Sequence, residues 1–223
     1  LDDLRYAFRA LSRGKMTTAV ILLSLALGTG ANATLYSVMD ALLFRPPAGV
    51  ASASQLAWVF TSQYTGASLG LTSYPDFVSM QQPAGAFATL AAFDDSALES
   101  VRWGDAGQRL RVVSVSPEFF PALGMPLQAG AFGGLLTPTA GASSSPESPP
   151  PAIISDVLWT LIGRPADVLG RELTIRESAY VIAGVAPRGF GGLQLGRACD
   201  VWIPLPPSIH ESDRGDRHLS AVG

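Results

Sequence analysis

Residues 16–44 read MTTAVILLSLALGTGANATLYSVMDALLF, and Asp40 is the one formal charge among them. From Thr18 to Val38 there are 21 residues without a charge. A helix that crosses the hydrocarbon of a bilayer needs about 20 mainly apolar residues at about 1.5 Å each. Gly28, Gly30 and the interspersed Ser and Thr suit such a helix, because its backbone hydrogen bonds close within the segment. Residues 16–44 are therefore expected to form one transmembrane helix, with Asp40 near the far interface.

On the N-terminal side, Leu4, Phe8 and Leu11 recur at helical spacing, with Arg5, Arg9 and Arg13 four apart on another face. This pattern predicts an amphipathic interfacial helix over residues 1–15. Arg5, Arg9, Arg13 and Lys15 outweigh Asp2 and Asp3, whereas residues 16–223 carry eleven Arg against sixteen acids. Positive flanks stay on the cytoplasmic side. The expected placement is the N-terminus in the cytoplasm and residues after 44 on the outer side of the membrane.

Three other readings compete for the apolar stretch. A basic start, an apolar run and Ala31-Asn32-Ala33 resemble a cleaved signal peptide, but apolar character continues about ten residues past that cut. Gly28-Thr29-Gly30-Ala31-Asn32-Ala33 fits the dinucleotide pattern G-x-G-x-x-A. No second buried strand or acid follows at the required distance, and small residues in a membrane helix admit a close neighbour. A buried helix of a soluble protein is the third reading, for which 21 uncharged residues is long.

The whole chain has 223 residues, room for one domain and an appendage. Charged residues are only 15% and hydrophobic ones 48%, which excludes a charged disordered tail. A net charge of −3 gives no footprint for nucleic acid. One cysteine, Cys199, excludes an internal disulfide and a Cys-based zinc site.

Pro46-Pro47 ends the apolar run, and residues 46–223 read as a mixed α+β domain. Strands are expected at 55–62, 96–103, 108–115, 152–155 and 200–205, with a hairpin from 172–176 and 180–186 turning near Glu177-Ser178. In the third of these stretches Arg109, Arg111 and Val113 alternate with Leu110, Val112 and Ser114, which predicts one polar face. Short helices are expected after Ser73, after Ser116-Pro117 with Ser116 as the N-cap and Gly124 as the stop, and after Ser155 or Asp156 with Gly163 as the stop. Residues 137–151, TPTAGASSSPESPPP, predict a flexible Ser/Pro loop.

No catalytic, cofactor-binding or metal-ligating residue is assigned, and no cofactor is expected. His210 and His218 with Glu211, Asp213 and Asp216 could be imagined as a metal cluster, but a spacing of eight is not a zinc pattern. Asp94-Asp95 and Asp213/Asp216 read as solvated turns. Cys199 reads as a small, partly buried residue. Phe119, Phe120, Trp159 and Trp202 read as core. G-x-S-x-G is absent, so an enzyme is not expected.

Taken in order, several segments resemble one family, the MacB-like ABC transporter permeases, in particular orphan permeases with a MacB-type periplasmic core. They are DLRYAFRALSRGKMTT, LSLALGTGANATLYSVMDALLFRP, SYPDF, SPEFFPALGM, VLGRELTIRESAYVIAGVAPRGF, DVWIPL and HLSAVG. The resemblance implies a first membrane helix, a periplasmic α+β core and three further helices. It also implies a cytoplasmic ABC ATPase subunit encoded elsewhere, a permease dimer, a periplasmic partner protein, and export driven by mechanotransmission. Three departures stand out: one span instead of four, no G-x-x-x-x-G-K-[ST] phosphate loop, and a Ser/Pro insert where the family has a more acidic loop. The chain stops at Gly223 within what reads as a strand, so an incomplete core is expected. The alternative is a freestanding, membrane-anchored periplasmic binding or scaffold domain without transport activity.

Overall fold

The computed structural model describes residues 14–43, 48–51, 53–62, 69–82, 87–94, 97–130, 149–194, 196–206, 208–209 and 213–223. Residues 1–13 of the amphipathic helix expected over residues 1–15, and most of the Ser/Pro loop, lie outside the described residues. The chain divides into two units, residues 1–45 and 46–223.

The first unit contains helix α1, Lys15–Leu43, 29 residues long. No acid occupies its first turn and no base its last. Two of its hydroxyls bond back along the helix: Thr29 Oγ1 donates to Leu25 O at 2.8 Å, and Thr34 Oγ1 donates to Gly30 O at 2.8 Å. Such back-bonding lets a hydroxyl sit on a helix without an outside partner.

Among the described residues, the second unit has eleven strands and three short α-helices. In chain order these are β1 (Trp58–Val59), β2 (Thr72–Ser73), α2 (Tyr74–Met80), β3 (Ala91–Asp94), β4 (Ala97–Trp103), β5 (Ala106–Val115), α3 (Phe119–Ala122), β6 (Ala129–Gly130), β7 (Pro151–Ile154), α4 (Asp156–Leu161), β8 (Glu172–Ile175), β9 (Ser178–Val185), β10 (Val201–Pro204) and β11 (Arg217–Val222). Six of the strands close a ring in the order β5-β10-β7-β9-β8-β4, with β4 returning to β5. The pairs β5–β10 and β7–β9 are parallel, and the other four are antiparallel. Beyond the ring, β3 pairs the C-terminal end of β5 at Phe93↔Val115, and β11 and then β1 extend the sheet to an edge.

Residue alternation explains this layout. Along β5, Leu110 and Val112 enter one apolar cluster, and Val113 and Val115 enter another. On β7, Ala152 and Ile154 face the first cluster and Ile153 the second; on β10, Val201 faces the first and Trp202 the second. Strands buried on both faces read as unbroken apolar runs. The first cluster draws on all six ring strands, through Val101, Val112, Ile154, Ile175, Ile182 and Val201, and is the ring's filling. The second lies on the outer face and is roofed by Phe119, Phe120, Leu123, Met125 and Phe190. A third packs Phe77 of α2 against Ala92, Leu219 and Ala221.

Some local expectations change. The strand expected over 55–62 is confined to Trp58–Val59, followed by an isolated bridge from Thr61 to Gly70. Ser116 does not cap α3. The N-cap position is Glu118, with no side-chain bond, while Ser116 Oγ accepts from Ala92 N at 3.0 Å. Ser116 thus anchors β3 to the end of β5. Gly124 follows α3 with φ +59, as its expected role as the stop requires. Ser73 and Ser155 do cap, accepting from Asp76 N at 3.3 Å and Leu158 N at 3.0 Å. The polar face of β5 holds only for Arg109 and Arg111, because the outer cluster covers the strand beyond them. The hairpin turn is Arg176-Glu177, with Arg176 at φ +56.

Candidate functional site

Two features carry functional information: the apolar helix and the exposed apolar edge of the α+β unit. On α1 the stretch Lys15–Asp40 is long and apolar enough to cross a membrane, and none of it is buried. At 1.5 Å per residue its 26 residues span about 39 Å, more than the roughly 30 Å of bilayer hydrocarbon. Val20, Ile21, Leu22, Leu23, Leu25, Leu27 and Leu35 are each more than half exposed. Surface apolar groups of this density mark a partner or a membrane. Gly28 to Ala33 lie in mid-helix, not on a strand-to-helix turn, so the dinucleotide reading has no structural basis.

On the α+β unit a continuous row of rings runs from the sheet edge into the outer cluster. Trp58 meets Phe93 at 5.7 Å, Phe93 meets Phe119 at 5.5 Å, and Phe119 meets Phe120 at 5.2 Å. Phe120 meets Trp202 at 5.8 Å, which stacks on Phe190 at 5.3 Å. Most of these contacts are edge-to-face, the favourable arrangement for aromatic quadrupoles. The row surfaces at β1, where Trp58 and Phe60 stack at 6.3 Å and are 44% and 47% exposed. Trp58 lies in β1 and Phe60 directly follows it, so the i, i+2 spacing in QLAWVFTS carries this signal; what the sequence lacks is which strand lies beside it.

Two ionic knots fix the segments around these clusters. Asp76 of α2 pairs with Arg214 and, at 3.5 Å, with Arg217, whose Nη1 also donates to Thr61 Oγ1 at 3.2 Å. Asp156 Oδ1 accepts from Arg164 Nη2 at 2.7 Å and from Gln128 Nε2 at 3.1 Å. A third pair, Arg176 Nη2 with Glu99 Oε1 at 2.6 Å, spans the closure between β8 and β4. The hydrogen bond from Arg176 holds the Glu99 carboxyl below the usual carboxylate range.

His218 Nδ1 lies 3.1 Å from Asp216 Oδ1. Asp213 Oδ1 accepts from the backbone N–H groups of Gly215 and Asp216, which makes a turn of it. His210 and Glu211 lie outside the described residues, as does Asp95. Among the described residues no three His, Cys, Asp or Glu side chains gather as a metal site would need. Cys199 is fully buried in the aromatic cluster, and burial pushes its thiol pKa upward. Phe119, Phe120 and Trp202 are core, as expected. Trp159 is at the rim instead: Arg164 lies 4.9 Å from its ring centre, and its Nε1 donates to Pro165 O at 3.2 Å.

Among the described residues, one helix long and apolar enough to cross a membrane precedes a mixed α+β unit. The chain matches the family model of the MacB-like periplasmic core domain over residues 18–220, and it belongs to that family. The family is a component of ABC-type transporter permeases, which work with a membrane and an ATPase. Comparison with curated protein sequences returns no match. Among solved structures, the chain is similar to a domain of a protein assigned as a permease from Porphyromonas gingivalis, at 17% identity and a TM-score of 0.49, covering 69% of this chain and 62% of that one. The chain thus spans less than two thirds of that structure. It is similar also to the periplasmic region of MacB from Actinobacillus actinomycetemcomitans, at 10% identity and a TM-score of 0.49, covering 75% and 72%. A third likeness is to the extracellular domain of the noncanonic ABC-type transporter YknZ from Gram-positive bacteria, at 10% identity and 0.47, covering 75% and 80%.

Proposed function

We propose that this chain supplies the N-terminal membrane span and periplasmic core of an ABC-type efflux permease. In this reading residues 1–15 lie at the cytoplasmic face, residues 16–44 cross the inner membrane and residues 46–223 form the periplasmic core. A cytoplasmic ATPase subunit hydrolyses ATP, and the span carries the resulting movement outward to the core, which assists export. The permease works as a dimer and meets a periplasmic partner protein.

One observation carries the reading: the family match begins inside the apolar helix and continues almost to the end of the α+β unit, so helix and domain are parts of one inherited module. The positive flank of that helix supports the orientation. Cross-linking in native membranes, followed by sequencing of the linked proteins, tests the reading. The expected product contains an ATPase with a G-x-x-x-x-G-K-[ST] phosphate loop. Recovery of the chain from the soluble fraction after an alkaline carbonate wash would overturn it.

A further inference from the structure

At the β1 edge of the α+β unit, two segments lie side by side and present apolar side chains to solvent. Thr61 and Gly70 form an antiparallel bridge, with Thr61 N donating to Gly70 O at 3.1 Å and Gly70 N donating to Thr61 O at 2.8 Å. Around that bridge exposure alternates. Trp58, Phe60, Leu69 and Leu71 are 44%, 47%, 69% and 45% exposed, while Val59, Thr61 and Gly70 are partly buried. The inner set is tied to the unit: Val59 packs on the third cluster, and Thr61 Oγ1 accepts from Arg217 Nη1 and donates to Leu71 O at 2.6 Å. Trp58 is braced from behind by Phe93. The outer set is therefore held in position while it stays uncovered. Large apolar side chains gathered in this way mark a contact with a membrane or a partner.

Charge decides between the two. From Met16 to Pro75 the only formal charges are Asp40 and Arg45. The uncharged run that makes the apolar helix thus continues through both segments, and the first charge beyond them, Asp76, is paired with Arg214 and Arg217. A protein interface surrounds its apolar centre with a polar rim and adds direct hydrogen bonds across it. A bilayer surface asks for the opposite: apolar side chains, aromatic rings at headgroup level and no charge to strip of water. We propose that Trp58, Phe60, Leu69 and Leu71 dock on the bilayer that the apolar helix crosses, at the boundary between headgroups and acyl chains. The inference rests on the permease reading for the membrane and on the alternating exposure for the surface. Covalent attachment to a membrane helix keeps lipid at high effective concentration around the unit. Contact requires no fixed geometry between helix and unit, only a connection that lets this edge reach the lipid.

The test is spin labelling of the full chain, reconstituted in vesicles of phosphatidylethanolamine and phosphatidylglycerol. A nitroxide is attached at Leu69→Cys and, in a second preparation, at Leu71→Cys; both positions are exposed, and the native Cys199 is buried. Collisions with oxygen, which concentrates in lipid, and with a nickel chelate, which stays in water, report where the label lies. Val157→Cys is the control. Val157 is apolar and 68% exposed, but its helix α4 follows β7, five strands along from β1 in the sheet order. The expected result is an oxygen-to-chelate collision ratio several-fold higher at Leu69 and Leu71 than at Val157. Labels at Leu69 and Leu71 that meet the chelate as freely as the label at Val157 would overturn the docking. Labels shielded from both reagents would mean a protein cover, a second copy of the chain included, and would overturn it too. Release of the chain by an alkaline carbonate wash would remove the permease reading and the docking together, whereas water-exposed labels on a retained chain remove the docking alone.

Discussion

Three serines stand at the ends of strands and show how one residue type is used in two ways. Ser73, Ser116 and Ser155 are all buried; Ser73 ends a strand, the other two directly follow one, and each precedes a short helix. Ser73 and Ser155 close their helices with an Oγ bond to the third residue on. Ser116 spends its Oγ on Ala92 N and so holds β3 beside β5. Ser155→Ala is expected to cost about 1 kcal/mol, the usual worth of a cap. Ser116→Ala leaves a buried N–H without that partner and is expected to cost about 1–3 kcal/mol. Denaturant titration gives the two totals, and exchange of the Ala92 amide separates them, since only Ser116→Ala should expose it. The sequence shows a serine before a proline and an acid, which is a capping pattern. It does not show that another strand passes within reach of the hydroxyl, and that neighbour decided the outcome.

At the scale of elements, the strands most legible in the sequence are those bounded by their own turns. β4, β5 and the β8–β9 hairpin fall close to where alternation puts them. The ring they form is not legible, because β4 meets β8 at Val101↔Ile175 and β5 meets β10 in parallel, pairings between distant parts of the chain. Glu99 and Arg176 bind across the first of these joints. The ordinary value for Glu99 is near 4.5, and the Arg176 hydrogen bond lowers it in the folded state. A lowered carboxyl contributes stability above its unfolded value, and loses that contribution as pH falls through the folded value. Glu99→Gln should therefore cost little at neutral pH, at most about 1 kcal/mol for so exposed an arginine partner. It should also flatten the loss of stability below roughly pH 4.5. Melting curves of both proteins from pH 7 to 3 measure the difference; parallel curves would remove Glu99 from the account. The aromatic row is the second structural spine. Phe120 lies at its centre with no exposed surface, and Phe120→Ala is expected to cost about 3–5 kcal/mol. Denaturant unfolding gives that figure directly.

For the whole molecule, the apolar helix is the part the sequence determines most fully. Length, absence of charge and a basic flank are all one-dimensional properties, and the structure adds only that the helix is continuous and its apolar side chains are uncovered. The candidate functional surface on the α+β unit is less legible. Trp58 and Phe60 can be put on one strand face from their spacing, but their junction with Phe93 and the core depends on the pairing of β1 with β11 and of β11 with β3.

The central claim is that residues 46–223 stand outside the cytoplasm on a helix that remains in the membrane. The direct measurement uses Asp105→Cys, at the exposed turn between β4 and β5, with a membrane-impermeant maleimide applied to intact spheroplasts. The native Cys199 is buried and its thiol suppressed, so it supplies little background. The account predicts full labelling without permeabilisation, on chains that stay in the pellet after an alkaline carbonate wash. Labelling only after the membrane is opened would contradict it.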